Sequence, residues 1–282
     1  MRGARRPIVK GTLDGRAPLA QCAGRVRDVI RIPVPRRRVA AAALALCAVL
    51  VPATGVASAS AATSGYRITT TRLPDGRTVA VRWNPCQTIT YKVNVAAVPA
   101  ARRAATLAEV RKAVSKVRAA TGMRFTYRGT TSEVPRTNNL SGQSAELIVA
   151  VVRPSSTDFR IGGATVGYGG ILWAQWASYR GVTLRYGAAV VRGYVVMDVG
   201  GFSRLSAGFG GGQSQGNALL HELAHAVGLD HATSRRQLMY PILRDSSPRG
   251  FASGDRAGLV RVGRRAGCIS IPANVTPRDL SR

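Results

Sequence analysis

The chain has 282 residues, 45% of them hydrophobic and 6% aromatic, and its 41 Lys+Arg against 13 Asp+Glu give a formal net charge of +28. The basic residues are dispersed and no aromatic-basic module is legible, which argues against specific nucleic-acid binding. The charge instead favours association with anionic cell walls, membranes or acidic substrates, weakening with salt.

At the N-terminus Arg36-Arg37-Arg38 precedes an apolar run from Val39 to Val51, followed by Pro52 and the small-residue segment Val56 to Ala62. That order is the pattern of a secretory signal peptide, with cleavage after Ala59 or Ala61. The apolar run is too short for a comfortable membrane span, so the expected product is secreted and extracellular. Residues 1–33 exceed an ordinary n-region, and translation from near Val34 would restore a usual length. Cys47 reads as part of the apolar run, because Leu46 stands where lipid attachment needs a small residue. Residues 1–61 hold 11 of the basic and 2 of the acidic residues, so the remainder keeps a net charge of +19. The expected division is a signal region at 1–61, a polar leader at 62–77 and a folded domain at 78–282.

Within that domain Thr78 to Val81 and Thr88 to Val95 alternate as strands. Pro99 opens a helix over 101–120, with Ala104, Leu107, Val110, Val114 and Val117 at helical spacing and Gly122 as its stop. Strands follow at 124–127, 146–152, about 166–173 and 193–198, separated by Gly- and Ser-rich loops. The stretch Gly162 to Gly170 lacks the Lys-Ser/Thr ending of a phosphate loop and is expected to shape an edge strand. Gly208 to Gly212 is a connector or a flexible rim, and the former is favoured. Trp173 and Trp176 are expected to pack rather than to form a sugar platform. The remaining 221 residues or so suffice for one domain divided by a cleft, without internal repeats.

The chain's three histidines all fall in His221-Glu222-Leu223-Ala224-His225-Ala226-Val227-Gly228-Leu229-Asp230-His231. On a helix, His221 and His225 project from one face about 5–6 Å apart at Cβ, close enough to share one metal ion. Glu222 is rotated off that axis, where it can hold a water and act as general base. A third imidazole requires the chain to leave the helix and double back. Gly228 supplies the exit and His231 arrives three residues later, leaving a fourth position open, as in catalytic rather than structural zinc sites.

This segment, followed by Leu238-Met239-Tyr240-Pro241, resembles the metzincin zinc peptidases, and G-L-D-H with M-Y-P is most similar to their matrixin branch. The resemblance implies an α+β fold: a twisted mixed β-sheet with backing helices, an active-site helix, a Met-turn and a small C-terminal subdomain. It implies that His221, His225 and His231 hold one catalytic Zn²⁺, that Glu222 is the base, and that Met239 is the Met-turn methionine under the metal. Pro241 stands where other metzincin branches carry a tyrosine, so no tyrosine ligand is assigned. Ser253 to Leu259 is similar to the start of the family's last helix, in which an aspartate helps hold the Met-turn region. With every histidine committed, the matrixins' histidine-containing second zinc site has no ligands here, while Ca²⁺ stays open.

Cys86 and Cys268 remain once residues 1–61 are set aside, an even pair in an exported protein, and a disulfide is expected. The competing reading, Cys86 as a latency switch on the zinc, has against it a W-N-P-C context without the matrixin prodomain motif. The expected function is a secreted zinc endopeptidase cleaving protein or peptide substrates, monomeric and active once exported and folded. The alternatives are a secreted basic cell-surface protein with a vestigial zinc site and a nucleic-acid binder; intact Glu222 weighs against the vestigial reading.

Overall fold

A computed structural model describes residues 29–31, 65–180 and 183–271. The signal-peptide features at 36–62 lie outside the described residues. In chain order the elements are β1 (Val29–Arg31), β2 (Arg67–Ile68), β3 (Thr70–Arg72), β4 (Thr78–Ala80), β5 (Thr88–Asn94), α1 (Ala100–Thr121) and β6 (Arg124–Thr130). They continue as β7 (Leu147–Val152), β8 (Thr165–Arg180), β9 (Thr183–Asp198), α2 (Val199–Arg204), α3 (Gln215–His225), β10 (Leu229–Asp230) and α4 (Ser253–Val262). Among the described residues no helix is long and apolar enough to cross a membrane.

The main sheet is mixed, with strand order β1-β8-β9-β7-β5-β6. β5 runs parallel to both β6 and β7, β7 runs parallel to β9, and β8 returns antiparallel to β9. β7 lies in the interior of the sheet, and its run Leu147-Ile148-Val149-Ala150-Val151-Val152 is buried throughout, as a parallel strand covered on both faces requires. Val110, Ala113, Val114 and Val117 of α1 pack on one face of the sheet with Leu219, Leu220 and Leu223 of α3 in the same core. Ala145, Ile148, Ala150, Tyr194 and Val196 make a smaller cluster on the other face. This is a mixed α+β architecture, compatible with the fold that the metzincin resemblance implied.

Two stretches differ from the sequence reading. The strands expected at about 166–173 and at 193–198 are each 16 residues long and form one hairpin, β8 and β9, paired from Gly167↔Met197 to Arg180↔Thr183. Their outer halves escaped notice because Ala, Gly, Gln and Arg interrupt the apolar alternation. Trp173 and Trp176 are buried, as expected of packing residues, and Ala174, Trp176, Ala189 and Val191 form a third cluster with Ile269 and Ile271 against it.

The second difference is the leader, because packing begins before Thr78. β2 pairs with β10 through Arg67↔Asp230 and Ile68↔Leu229, and β3 pairs with β4. Gly65 and Tyr66 lie against Gly254 and Gly258 of α4. From Gly65 onward the segment is therefore part of the fold, and its short strands were too polar to register as a pattern.

Cys86 and Cys268 are joined in a disulfide with Cα atoms 5.4 Å apart across a separation of 182 residues. Asn84 lies beside it, with its side chain donating to the Ile269 carbonyl and accepting from the Ile269 N–H. In the chain-entropy view such a long loop is worth about 2–4 kcal/mol.

Two outcomes follow for stability. Thiol titration of unfolded, unreduced protein should find no free thiol from Cys86 or Cys268, and reduction should lower the unfolding midpoint. A chain starting at Thr78 should be less stable in urea than one starting at Ala62 by about 3 kcal/mol, since several backbone hydrogen bonds at roughly 1 kcal/mol each are lost; equal midpoints would contradict the structural role of 65–77.

Candidate metal centre

α3 begins at Ser214, whose side-chain oxygen accepts the N–H of Asn217, a conventional N-cap. Asn217 donates its amide to the carbonyls of Gly212 and Pro248 and accepts the N–H of Gly250. The start of the helix is thus tied to the segment that follows the third histidine. The preceding connector is also held, since Glu109 accepts the Gly208 N–H and Gly212 donates to the Ser247 carbonyl. Gly208 to Gly212 accordingly serves as a connector.

Every residue of α3 is buried. His221 and His225 point the same way, and their Nε2 atoms lie 3.1 Å apart. His231 brings its Nε2 to 3.2 Å from that of His221, and the three ligand atoms all lie within 4.8 Å of one another. Three nitrogens around one tetrahedral zinc would stand about 3.3 Å apart at the usual Zn–N distance.

The hydrogen bonds behind the rings decide what this cluster can hold. His221 Nδ1 lies 2.8 Å from the Leu238 carbonyl, and His225 Nδ1 lies 2.8 Å from the Leu229 carbonyl. A carbonyl oxygen only accepts, so each Nδ1 carries the proton and, in the neutral ring, each Nε2 presents a lone pair. Burial, followed by the neighbouring His225 and His231, pushes the His221 pKa well below its ordinary value, so that ring is neutral at pH 7. Two lone pairs facing each other at 3.1 Å repel unless a cation lies between them. The donor set therefore fits a divalent metal of the zinc type, bound by neutral imidazoles with backbone carbonyls behind them.

Delivery of His231 depends on a turn that the helix alone does not make. α3 ends at His225 with Ala226 still in the right-handed helical region, and the reversal comes two residues later at Gly228, where φ is +104°. A Cβ there would also sit 2.8 Å from the Val81 carbonyl, so glycine is demanded by backbone conformation and by space together. Trp83 donates its indole N–H to the Ala226 carbonyl at 2.8 Å, and Thr69 donates its N–H to the Gly228 carbonyl at 2.9 Å. Asp230 accepts the N–H of His231 at 2.7 Å. Residues 67–83 thus mould the loop that carries the third imidazole.

Glu222 is fully buried beside the histidines, with the first turns of β8 running directly over it. A Cβ on Gly169 would lie 2.0 Å from the Glu222 carbonyl oxygen, and one on Gly167 would lie 3.2 Å from Glu222 Cγ. These alternate glycines let the strand lie on the helix, and any larger residue would force the two apart. On the other side of the site, Met239 is buried and its carbonyl accepts the N–H of Ala232, next to His231. Asp255 in α4 accepts N–H groups from Leu238 at 2.7 Å, Met239 at 3.1 Å and Ala252 at 2.8 Å. Burial raises the Asp255 pKa, and these three donors oppose the rise.

All residues named from the sequence, His221, Glu222, His225, Gly228, His231 and Met239, meet in this region. Sequence reading did not single out Thr69, Val81, Trp83 or Asn217. Only Trp83 and Asn217 carry a side chain that signals a hydrogen-bonding task; Thr69 and Val81 act through backbone atoms, which leave no mark in sequence. The alternating Gly167 and Gly169 were visible as a glycine-rich edge strand, but their partner was not.

The model of the matrixin peptidase family matches residues 211–261. That span contains the three histidines, Glu222, Met239 and Asp255, and it agrees with the resemblance drawn from the H-E-L-A-H-A-V-G-L-D-H segment. At the level of the family it supports a zinc metallopeptidase with protein or peptide substrates. No curated protein matches the chain.

Replacing Asp255 by Ala would leave three backbone N–H groups without their acceptor. The expected loss is about 3 kcal/mol or more, at roughly 1–3 kcal/mol per buried orphan, with a smaller loss for Asp255→Asn. Thermal unfolding checks this, and an unchanged midpoint for Asp255→Ala would refute the role assigned to the carboxylate.

Proposed function

We propose that this chain is an exported zinc endopeptidase in which His221, His225 and His231 hold one catalytic zinc and Glu222 is the general base. The observation that carries the reading is the convergence of three imidazole Nε2 atoms, two of them with lone pairs fixed inward, beside a buried glutamate. The matrixin match over 211–261 supports it. So does the outer edge of β8, where Val29–Arg31 of this same chain pairs antiparallel with Thr165, Gly167 and Tyr168. An edge that accepts an extended segment over the site helix offers a substrate the same backbone hydrogen bonds. In this reading the edge becomes free when residues 1–61 are removed on export, by cleavage near Ala59 or Ala61.

When bound, zinc supplies Lewis acidity that lowers the pKa of water to about 7 and polarises a carbonyl. The chain's own groups do the rest. Glu222, one residue after the first histidine and buried against β8, takes the proton of the attacking water and returns it to the leaving amine. The carbonyls of Leu238 and Leu229 hold the two helix imidazoles in the tautomer that leaves Nε2 unprotonated. Met239, in the proposed Met-turn, closes the floor, with Asp255 fixing its backbone. The reading needs one zinc, leaves calcium open, and takes the protein as a monomer acting on extended peptides.

Glu222→Gln should retain one zinc per chain while turnover falls by about 10²–10⁴-fold, the usual share of a general base. His231→Ala should lose zinc. The assay is digestion of a denatured protein mixture by a chain starting at Ala62, with and without a chelator. Zinc retention without any chelator-sensitive cleavage would favour a binding protein with a vestigial centre. The same assay on the full chain tests the edge: slower cleavage than from Ala62 is expected while Val29–Arg31 pairs with β8.

A further inference from the structure

α1 presents Arg102, Arg103, Arg111, Lys112, Lys116 and Arg118 to solvent, and the helix packs beside β6, at the other end of the sheet order from β8. Its single acid, Glu109, is turned toward the Gly208 N–H. Between this helix and the β5–β6 edge lies a groove of about 410 Å³, whose lining includes Arg111, Lys112, Ser115, Arg118, Tyr91 and Phe125 and no carboxylate. Arg111 is already positioned there, its guanidinium 4.9 Å from the centre of the Tyr127 ring. Lys112 and Lys116 extend the charge past the groove, each ammonium 5.3 Å from the Phe209 ring.

Like charges at i, i+4 on one helix weaken it, and here Lys112 and Lys116 repeat that spacing without an acidic partner between them. Arg111, Lys112, Lys116 and Arg118 share about 10 Å of helix at about 1.5 Å per residue, while Arg103, nearer its start, donates to the Val98 and Ala96 carbonyls. Four cations spread over that length match a chain of anions better than a single ion. We propose that α1 and the β5–β6 edge bind a linear phosphodiester polymer without bases, such as a polyol phosphate.

Three observations choose this occupant. Guanidinium forks suit phosphate oxygens in a bidentate pairing, and Arg111 and Arg118 both line the groove. A bilayer would need an apolar wedge, but the exposed large hydrophobic side chain among the described residues is Leu184, in the β8–β9 hairpin at the opposite end of the sheet order. Nucleobases would need an open aromatic face, whereas Tyr91 is buried, Arg111 covers Tyr127, and Phe125 and Phe209 are half-buried and packed against the core. What remains is backbone charge alone. This inference is independent of the peptidase reading, since it uses none of the residues of the metal centre and is read by binding.

The test is titration of fluorescently labelled polyglycerol phosphate with the chain starting at Ala62, at several salt concentrations. Arg111→Gln/Lys112→Gln/Arg118→Gln should weaken binding at least ten-fold at 0.1 M salt and reduce the log–log salt slope by about two, as expected for three lost contacts on a flexible polyanion. A control removing the same charge elsewhere, Arg153→Gln/Arg180→Gln/Arg185→Gln, should stay within two-fold of the parent. Arg118→Gln alone should lose about three-fold, and far-UV circular dichroism spectra of all variants matching the parent's show that they are folded. Absence of binding by the parent, or equal losses in the two triple variants, would overturn the groove assignment. Single-stranded DNA of the same phosphate count binding ten-fold tighter would overturn the base-free occupant.

Discussion

The centre of this molecule rests on two hydrogen bonds that look secondary: His221 Nδ1 to the Leu238 carbonyl and His225 Nδ1 to the Leu229 carbonyl. They fix the protons on the outer nitrogens and leave lone pairs facing inward at 3.1 Å. A cluster of that kind is unfavourable by itself and favourable around a cation, so the fold stores a binding site at its own expense. Each carbonyl must in turn be held. Leu238 is kept in place because its N–H, like that of Met239, is bonded to Asp255, and Leu229 because it pairs with Ile68.

This explains why segments far apart in sequence close around one short motif. Residues 67–83 lie some 150 positions before the histidines, roughly half the chain away, yet Thr69, Val81 and Trp83 all contact the turn between His225 and His231. The Cys86–Cys268 disulfide then joins the end of that N-terminal stretch to the segment after α4. Covalent closure therefore acts on the two parts of the chain that flank and support the metal-binding loop. The other wall is β8, whose glycines lie against α3 so closely that backbone meets backbone at Glu222. In the proposed function, a strand that close to the helix couples substrate placement on its edge to the chemistry at Glu222.

The charge of the molecule divides in a similar way. Basic residues crowd the outer surface of α1, while the candidate site holds three imidazoles with one buried glutamate alongside. Surface charge and the donor set beneath it are separate properties, so surface attraction and metal binding can be changed independently.

The sequence by itself determined the ligand pattern of the candidate site. Histidines four apart on a helix, a glutamate between them, a glycine at the exit and a third histidine admit few other uses, because backbone geometry alone places the first two ligands. It also determined α1, the alternating strand β5 and the pairing of the two cysteines left after residue 61. Tertiary structure decided what local pattern cannot encode. Residues 65–77 are polar and short-stranded, so their membership in the fold comes from partners at 228–230 and in α4 rather than from periodicity. The 16-residue length of β8 and β9 comes from their pairing with each other, which overrides weak local alternation. The lone-pair orientation that suits the histidines to a metal was decided by carbonyls at Leu229 and Leu238, and a backbone oxygen has the same chemistry in every residue, so no sequence can announce it.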